Sequence, residues 1–232
     1  MTKIYKTALV VGAGAFGTSI ASILANKFEH VILKVRSEDV YQNINDDREN
    51  SVYLPGIKLD DNIKVLTGPS SRHYYVSMTN IYEPLDDKRV RQAFNYAIDK
   101  EGILSAAFRG YASVADVTIV NEAVSGYSPA ATHPYPYDTD KATALLAEAG
   151  WSDSDGDGIV DKDGKALELI LRTRKGAVPG DYETAELVQG MLLNIGVKVN
   201  VDVADTASFL AELNQPIEVA PHYDMVNLTW GT

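Results

Sequence analysis

Three glycines near the amino terminus are spaced to hold a phosphate group. The segment G-A-G-A-F-G, residues 12–17, directly follows the apolar run 7–11, which has the length of a buried parallel strand. In such a turn Gly12 permits the tight bend, Gly14 lets a pyrophosphate approach the backbone, and Gly17 lets a helix lie close to the strand. The helix that follows directs free N–H groups at the anion. The spacing therefore predicts a phosphate-binding turn.

Arg36 stands where a dinucleotide would be selected. It follows a second predicted strand, residues 30–35, at a position where an Asp or Glu would hold the ribose hydroxyls of NAD. An arginine there can stack on adenine or pair with a 2′-phosphate. The alternative is a solvated surface arginine, and the choice between NAD and NADP stays open.

An aspartate-rich loop, residues 153–164, is the second candidate site. Carboxylates at its positions one, three, five and nine, with glycine at six, match the start of a calcium loop. These carboxylates belong to Asp153, Asp155, Asp157 and Asp161. Position twelve is Gly164 rather than a glutamate, and a solvated turn rich in Asp is the alternative. The pattern predicts weak, structural calcium binding.

Other chemistry lacks the residues to perform it. The chain has no cysteine, which excludes disulfides, thiol nucleophiles and Cys-based metal sites. Its four histidines, at positions 30, 73, 133 and 222, show no pair at ligand spacing, and no helical H-E-x-x-H occurs. We therefore predict that the protein is not an enzyme and requires no cofactor.

Charge divides the chain into two stretches. Residues 1–67 carry eight Lys/Arg and eight Asp/Glu, so the whole net charge of −11 falls in residues 68–232. An acidic surface repels phosphates and anionic lipids, so neither nucleic acid nor a membrane is an expected partner. The first residues lack the layout of a signal peptide, which predicts a cytoplasmic location after recombinant expression.

The predicted helices and strands that carry these candidate site residues indicate an α/β fold. Residues 1–67 form a predicted β-α-β-α-β fragment, and strands alternate with helices in residues 68–232. Residues 110–136 predict a long loop. This alternation predicts a doubly wound, mostly parallel sheet with helices on both faces. Because a 67-residue, three-stranded fragment is marginal alone, we expect the two stretches to share one sheet and one core, as a single domain.

Residues 5–66 resemble a known enzyme family. The segments GAGAFGTSIASILA, VILKVR and INDDRENSVYLPGIKLDDNIKV are similar to the amino-terminal Rossmann part of NAD(P)-dependent glycerol-3-phosphate dehydrogenases. The resemblance implies that the dinucleotide contacts Gly12, Gly14, Ala15, Phe16, Gly17 and Arg36. It also implies later strands and a helical domain with a catalytic lysine, and the sequence after Leu66 does not continue in that way.

Residues 68–232 resemble a different family. The segments GPSSRHYYVSMTN, DDKRVRQAFNYAIDKEGIL, YDTDKATALLAEAGW and DGDGIVDKDGKALELILRT are similar to the second lobe of family 5 extracellular solute-binding proteins, the peptide and nickel ABC-importer class. The first lobe, with most of the ligand cavity, has no counterpart in this sequence. Capture between two closing lobes is therefore not expected of this chain alone.

Joining a cytoplasmic family to a periplasmic or extracellular one predicts an engineered chimera. We expect a scaffold without native catalytic activity that keeps at most weak affinity for NAD(P) or a small anion at the glycine turn, with calcium at the aspartate loop. A natural fusion is the alternative origin. The alternative functions are a solute-binding module for peptides or nickel and a fragment of an NAD(P)-dependent oxidoreductase.

Overall fold

The structure is a computed structural model that describes residues 5–36, 38–68, 73–108, 112–115, 125–128, 135–176, 179–215 and 223–230. Its strands are β1 (Tyr5–Val11), β2 (Phe28–Lys34), β3 (Ile63–Leu66), β4 (His73–Met78), β5 (Asp161–Lys162), β6 (Lys165–Ala166), β7 (Glu168–Arg174), β8 (Lys198–Ala204) and β9 (Met225–Trp230). Its helices are α1 (Ala15–Ala25), α2 (Glu38–Asp47), α3 (Lys88–Ala97), α4 (Lys100–Phe108), α5 (Thr139–Glu148), α6 (Asp181–Leu193) and α7 (Thr206–Leu213). The chain divides into a first unit, Met1–Ser70, and a second unit, Ser71–Thr232.

The first unit is built on a parallel sheet of three strands in the order β1-β2-β3. Val10, Leu33 and Val65 form one cross-strand row on one face of this sheet. Helices α1 and α2 supply Ala21 and Ile44 to the apolar cluster on that face. Two right-handed crossovers that run in the same direction place both helices on one side, so the core of this unit is one-sided.

On the other face of this sheet, alternate side chains of β1 are exposed. Tyr5, Leu9 and Val11 alternate along β1, and their exposed fractions are 55%, 62% and 73%. Side chains two residues apart in a strand lie on the same face. Half of β1 is therefore apolar surface in contact with solvent.

The second unit contains a mixed sheet of four strands in the order β4-β9-β7-β8. Strand β7 pairs in parallel with β8 and with β9, whereas β4 pairs antiparallel with β9. The carboxyl ends of β7, β8 and β9 therefore meet at one edge. Strands β5 and β6 form a separate antiparallel pair.

Helices of the second unit cover the central strand. Leu169 and Leu171 of β7 are almost completely buried, and they share one apolar cluster with Phe94 of α3, Leu146 of α5 and Leu192 of α6. A strand buried by apolar neighbours needs apolar side chains on both faces, and the run Leu-Ile-Leu at residues 169–171 supplies them.

Aspartates begin three helices of this unit. The carboxylate of Asp87 accepts a hydrogen bond from a backbone N–H of α3, that of Asp138 from α5, and that of Asp205 from α7. Such caps satisfy N–H groups that have no partner inside the helix. Two aspartates, Asp138 and Asp140, lie near the start of α5. Asp138 is the cap because its backbone is extended, whereas Asp140 already lies in the first helical turn.

The prediction of one continuous sheet and core is wrong. The strands that carry Leu9, Leu33 and Val65 form one sheet, and those that carry Leu169 and Val199 form another. Each unit also has its own apolar cluster. The physical reason is that α1 and α2 close the first cluster without residues from the second unit.

Two further expectations change with the structure. The sheet of the second unit is mixed: two of its three strand pairings are parallel, and the third is antiparallel because β4 runs against β9. Helix α4 was not predicted, since none of its residues is buried and no apolar period marks it. Most of the predicted loop 110–136 lies outside the described residues.

Within the described part of the chain, every helix is too short or too polar to cross a membrane.

Candidate functional site

The glycine-rich turn of the first unit has the geometry that its spacing predicts. Gly12 has a φ of +100°, which favours glycine, and its N–H donates to the carbonyl oxygen of Lys34 at 2.9 Å. A Cβ on Gly17 would lie 1.9 Å from the carbonyl oxygen of Gly12, so α1 approaches the turn too closely for any side chain. Among the described residues no side chain caps α1 at Gly14. The first N–H groups of α1 therefore remain available for an anion.

A buried asparagine forms hydrogen bonds that stabilise this turn. Asn50 is completely buried, and its Nδ2 donates to the carbonyl oxygen of Ala13 at 2.7 Å and to Oγ1 of Thr18 at 2.8 Å. These bonds join the turn to the first residues of α1. Asn50 belongs to the segment INDDRENSVYLPG, and its role was not predictable from local spacing, because its partners lie more than thirty residues away.

The other predicted dinucleotide residues lie near this turn along the chain. Ala15 and Phe16 begin α1 and are exposed, Phe16 to 79%. Arg36 is exposed and follows Lys34, which pairs with Val11 at the carboxyl edge of the sheet. The structure thus brings the turn and Arg36 to one sheet edge. Ser37, which follows Arg36 in the sequence, lies outside the described residues.

Three of the four predicted calcium ligands come together. Asp153, Asp155 and Asp157 are exposed, and each offers a carboxylate oxygen within 4.8 Å of the others. Asp161 is engaged elsewhere, because its Oδ2 accepts from the backbone N–H of Ser154 at 2.9 Å and from its hydroxyl at 2.7 Å. These hydrogen bonds hold the pKa of Asp161 below its usual range.

The same loop also has the hydrogen bonds of a turn rich in Asp. Asp153 accepts from the backbone N–H of Gly156 at 2.7 Å and of Gly158 at 3.1 Å. Asp157 accepts from the N–H of Ile159 at 2.8 Å. Such bonds stabilise turns without any metal. The loop geometry therefore accommodates both the predicted ion and the alternative.

The sequence analysis missed two arginines on the central strand of the second unit. Arg172 and Arg174 are two residues apart in β7, so their side chains share one face, and each is about nine-tenths buried. Buried charges are normally paired. Two arginines that closely follow the apolar run Leu-Ile-Leu, residues 169–171, were the signal that could have identified them.

Arg172 is neutralised by two carboxylates. Its guanidinium donates to both carboxylate oxygens of Glu212 at 2.7 Å and to Asp202 at 2.6 Å. It also lies over the ring of Tyr223, 4.9 Å from the centroid. Burial opposes its charge, but the hydrogen bonds to Glu212 and the neighbouring charges outweigh burial, so the pKa of Arg172 lies above its usual range.

Arg174 has no countercharge among the described residues. Its guanidinium carbon lies 4.7 Å from the ring centroid of Phe209. Its Nε is buried, and no hydrogen-bond acceptor for it lies in the part of the chain that the structure describes. Strand register explains the difference, because β8 places Asp202 opposite Arg172 but Ala204 opposite Arg174. An aromatic face attracts a cation but does not neutralise it.

A buried polar network fixes the backbone beside Arg174. Nδ2 of Asn227 donates to the carbonyl oxygen of Asp181 at 2.6 Å, and the hydroxyl of Thr173 donates to the same oxygen at 3.1 Å. Oδ1 of Asp181 accepts from the N–H of Gly176, which joins the loop after β7 to the start of α6. Ligands of open α/β sheets bind outside the carboxyl ends of the strands. This edge is therefore the candidate ligand site of the second unit.

Comparison with known proteins identifies the family. The family described as bacterial extracellular solute-binding proteins, family 5, middle region, matches residues 31–232. The chain therefore belongs to family 5 of the bacterial extracellular solute-binding proteins. The match begins inside the first unit rather than at the predicted border between residues 67 and 68.

Two curated relatives are 32% identical to this chain. The oligopeptide-binding protein AppA of Bacillus subtilis matches over 156 residues, which is 67% of this chain and 28% of AppA. The glutathione-binding protein GsiB of Pectobacterium atrosepticum matches over 157 residues, which is 68% of this chain and 27% of GsiB. The chain thus matches less than a third of the length of either relative. Both relatives are named as binding proteins, which is consistent with the prediction that this chain is not an enzyme.

Solved structures extend the likeness to the fold. AppA of Bacillus subtilis, in complex with a nonapeptide, has a TM-score of 0.66 at 26% identity and covers 94% of this chain and 39% of its own. NikZ from Campylobacter jejuni, in complex with Ni(L-His), has a TM-score of 0.58 at 26% identity and covers 93% and 38%. The lobe-like α/β fold is confirmed. The dehydrogenase origin of residues 1–67 and the chimera stay predictions.

Proposed function

We propose that this chain forms part of a solute-binding protein and that Arg174 receives a carboxylate of the ligand. The observation that carries the proposal is a guanidinium about nine-tenths buried that lacks a countercharge among the described residues. The partner of the complete protein would be an ABC importer, and its location would be periplasmic or extracellular, as in the class that residues 68–232 resemble.

The energetic argument starts from the cost of burying charge. A buried ion without a partner costs several kcal/mol, whereas a well-paired one offsets most of that cost. Two carboxylates already perform this pairing for Arg172 on the same face of β7. A ligand carboxylate would do for Arg174 what Glu212 does for Arg172.

The chemical class of ligand follows from the guanidinium. Arginine binds a carboxylate through two parallel hydrogen bonds, which fixes both position and orientation. The ligands named with the relatives are a nonapeptide, glutathione and a nickel complex of L-histidine, and each contains a carboxylate. Short peptides and chelates of amino acids are therefore the ligands that we propose.

The test is calorimetric titration of the 232-residue chain with a pentapeptide that has a free carboxyl terminus. The same peptide with a carboxyl-terminal amide is the matched probe. Because one lobe supplies only part of the contacts of a two-lobed site, we expect a Kd of about 1 mM. Amidation should weaken binding about tenfold or more, since it removes the charge that pairs with Arg174.

A pair of variants assigns the effect to one residue. Arg174→Gln should bind the free peptide as weakly as the wild type binds the amide. Arg89→Gln is the control, because Arg89 is an exposed arginine that pairs with Asp87. Equal binding of the acid and the amide by the wild type, or full binding by Arg174→Gln, would refute the proposal.

A second candidate function belongs to the first unit. We propose that the glycine turn keeps weak affinity for the phosphates of NAD(P), as the resemblance to glycerol-3-phosphate dehydrogenases implies. Support comes from the space around the turn: a Cβ on Gly12 or Gly14 would meet nothing within 4 Å, whereas one on Gly17 would collide with the backbone. The turn is closed towards the helix and open on its outer side.

Titration with NADPH, NADH and ADP tests this second candidate. The amide resonances of residues 13–18 should shift at millimolar concentrations, and Arg36 should favour NADPH over NADH. Gly14→Val should abolish the shifts, because its side chain enters the open space that a phosphate needs. No oxidation of glycerol 3-phosphate is expected. If residues 13–18 fail to respond to all three compounds, the proposal is refuted.

A further inference from the structure

We infer that Glu212 is a positioning residue of the Arg174 site, which comprises Arg174, Phe209 and Ala204. Glu212 holds α7 on β7, and Phe209 of α7 thereby fixes the guanidinium of Arg174. This inference rests on the proposed function, because it concerns how Arg174 is presented to a ligand carboxylate.

The contacts between α7 and β7 form two matched pairs. Phe209 and Glu212 are three residues apart in α7 and therefore lie on one side of the helix. Phe209 contacts Arg174, and Glu212 contacts Arg172. The order along the helix is the reverse of the order along the strand, so α7 runs antiparallel to β7. One residue of the helix thus binds a charge, and the other presents a ring.

Glu212 is the polar anchor of the last turn of α7. Its carboxylate accepts three hydrogen bonds from Arg172, at 2.7, 2.7 and 3.1 Å, and one from the hydroxyl of Tyr223 at 3.3 Å. The side chains of Arg172 and Glu212 are only 10% and 21% exposed, so water screens the pair weakly. Loss of the Glu212 charge would loosen a helix of only eight residues.

The ring of Phe209 restricts Arg174 before any ligand arrives. Phe209 is almost completely buried, so its position is set by packing. An arginine side chain has several rotatable bonds and loses conformational entropy when a ligand fixes it. Because Phe209 imposes much of that loss in the free protein, binding of a carboxylate becomes tighter.

Electrostatics alone predicts the opposite effect of Glu212. Its negative charge lies near Arg174, so neutralising it should strengthen the binding of an anion. The positioning role predicts weaker binding. Asp202 separates the two effects, because it also pairs with Arg172, at 2.6 Å, but belongs to β8 and not to α7.

The experiment repeats the pentapeptide titration with Glu212→Gln and Asp202→Asn. Glu212→Gln should weaken binding of the free peptide about three- to tenfold, and Asp202→Asn should strengthen it by less than twofold. A purely structural loss in Glu212→Gln would weaken binding of the free peptide and of the amide alike, whereas loss of the positioning role lowers the preference for the free peptide over the amide. Phe209→Leu removes the ring but keeps the pair of Arg172 and Glu212, and it should weaken binding as Glu212→Gln does.

The outcomes separate this inference from the proposed function. If Glu212→Gln binds as tightly as the wild type while Arg174→Gln abolishes binding, the positioning role is wrong and the proposed function stands. If the wild type does not prefer the free peptide to the amide, both are wrong. If Glu212→Gln does not fold, Phe209→Leu decides: weaker binding supports the positioning role, and unchanged binding overturns it.

Discussion

The two units of this chain offer different parts of the polypeptide to a ligand. The first unit offers backbone N–H groups at Gly14, where α1 begins without a side-chain cap among the described residues. The second unit offers a side chain, Arg174, at the end of β7. Both lie where parallel strands end, as in other open α/β sheets. A backbone site depends on space around glycine, whereas a side-chain site depends on which neighbours leave the charge unpaired.

The sheets of the two units also differ in how far their side chains are buried. In β1 alternate side chains such as Leu9 are exposed, whereas in β7 Leu171 is completely buried and the arginines beyond it are nearly so. Because a buried charge without a partner is costly, an unpaired arginine on β7 indicates a ligand that pairs with it. An exposed charge on the first sheet is solvated by water and would not indicate a ligand.

Truncation of one leucine in each sheet should give the largest contrast. Leu171→Ala should lower the free energy of unfolding of the second unit by about 2–5 kcal/mol, because it opens a cavity in the core. Leu9→Ala should change stability by no more than about 0.5 kcal/mol, since Leu9 is largely exposed. Both tryptophans, at positions 151 and 230, belong to the second unit, so fluorescence during urea unfolding measures the effect of Leu171→Ala. Amide hydrogen exchange of β1 measures the effect of Leu9→Ala in the first unit. An unchanged midpoint for Leu171→Ala would contradict the buried position of β7.

Substitution of alanine for either of two glycines in the first unit tests the geometry of the glycine turn. Gly17→Ala should destabilise the turn by about 1–3 kcal/mol or more, because its Cβ would meet the carbonyl oxygen of Gly12. Gly14→Ala is the control, since its Cβ would meet nothing within 4 Å. Amide hydrogen exchange of α1 is the measurement. Equal protection in the two variants would show that α1 does not lie close to the turn.

Acid should weaken the second unit through Asp87. Hydrogen bonds from Arg89 hold the pKa of this carboxyl below its usual range. A lowered folded-state pKa adds stability that is present above the unfolded-state pKa and is lost as the pH falls through the folded-state value. The urea concentration at the midpoint of unfolding should therefore decrease as the pH is lowered below about 4. Asp87→Asn keeps a side-chain cap but should show a shallower fall. The same fall in both proteins would exclude Asp87 as a cause.

Calcium should have the smallest effect. If Asp153, Asp155 and Asp157 share an ion with a Kd of about 1 mM, then 10 mM calcium should stabilise the second unit by about 1.4 kcal/mol and raise its Tm by about 4 °C. Asp155→Asn should abolish the rise. An equal rise with magnesium, or in Asp155→Asn, would favour the alternative of a turn that needs no metal.

The sequence predicted what depends on local spacing. The turn at Gly12 and Gly17 was predictable, because each glycine acts within a few residues of the others. The lack of a countercharge at Arg174 was not predictable from the sequence. It depends on the strand register, which places Ala204 rather than an acidic residue opposite Arg174, and on the orientation of α7. Asp161 was predicted to join the other aspartates, but no spacing rule foresees its hydrogen bonds to Ser154.

The separation into two sheets was also beyond local patterns. The strand that begins at His73 pairs with the last strand of the chain, more than 140 residues away, and this pairing completes a sheet without β1. Alternation of strands and helices predicts the α/β class. It does not specify which strands become neighbours.

The central claim is that Arg174, and not its neighbour Arg172, receives a ligand carboxylate. The most direct test follows the Nε–H resonances of both arginines by NMR during titration with the free pentapeptide and with its amide. We predict that the free peptide shifts the resonance of the Arg174 Nε–H, which has no acceptor among the described residues. The resonance of the Arg172 Nε–H, which already donates to Glu212, should stay nearly unchanged. A shift of Arg172 alone, or an unchanged Arg174 resonance at a concentration that saturates binding, would contradict it.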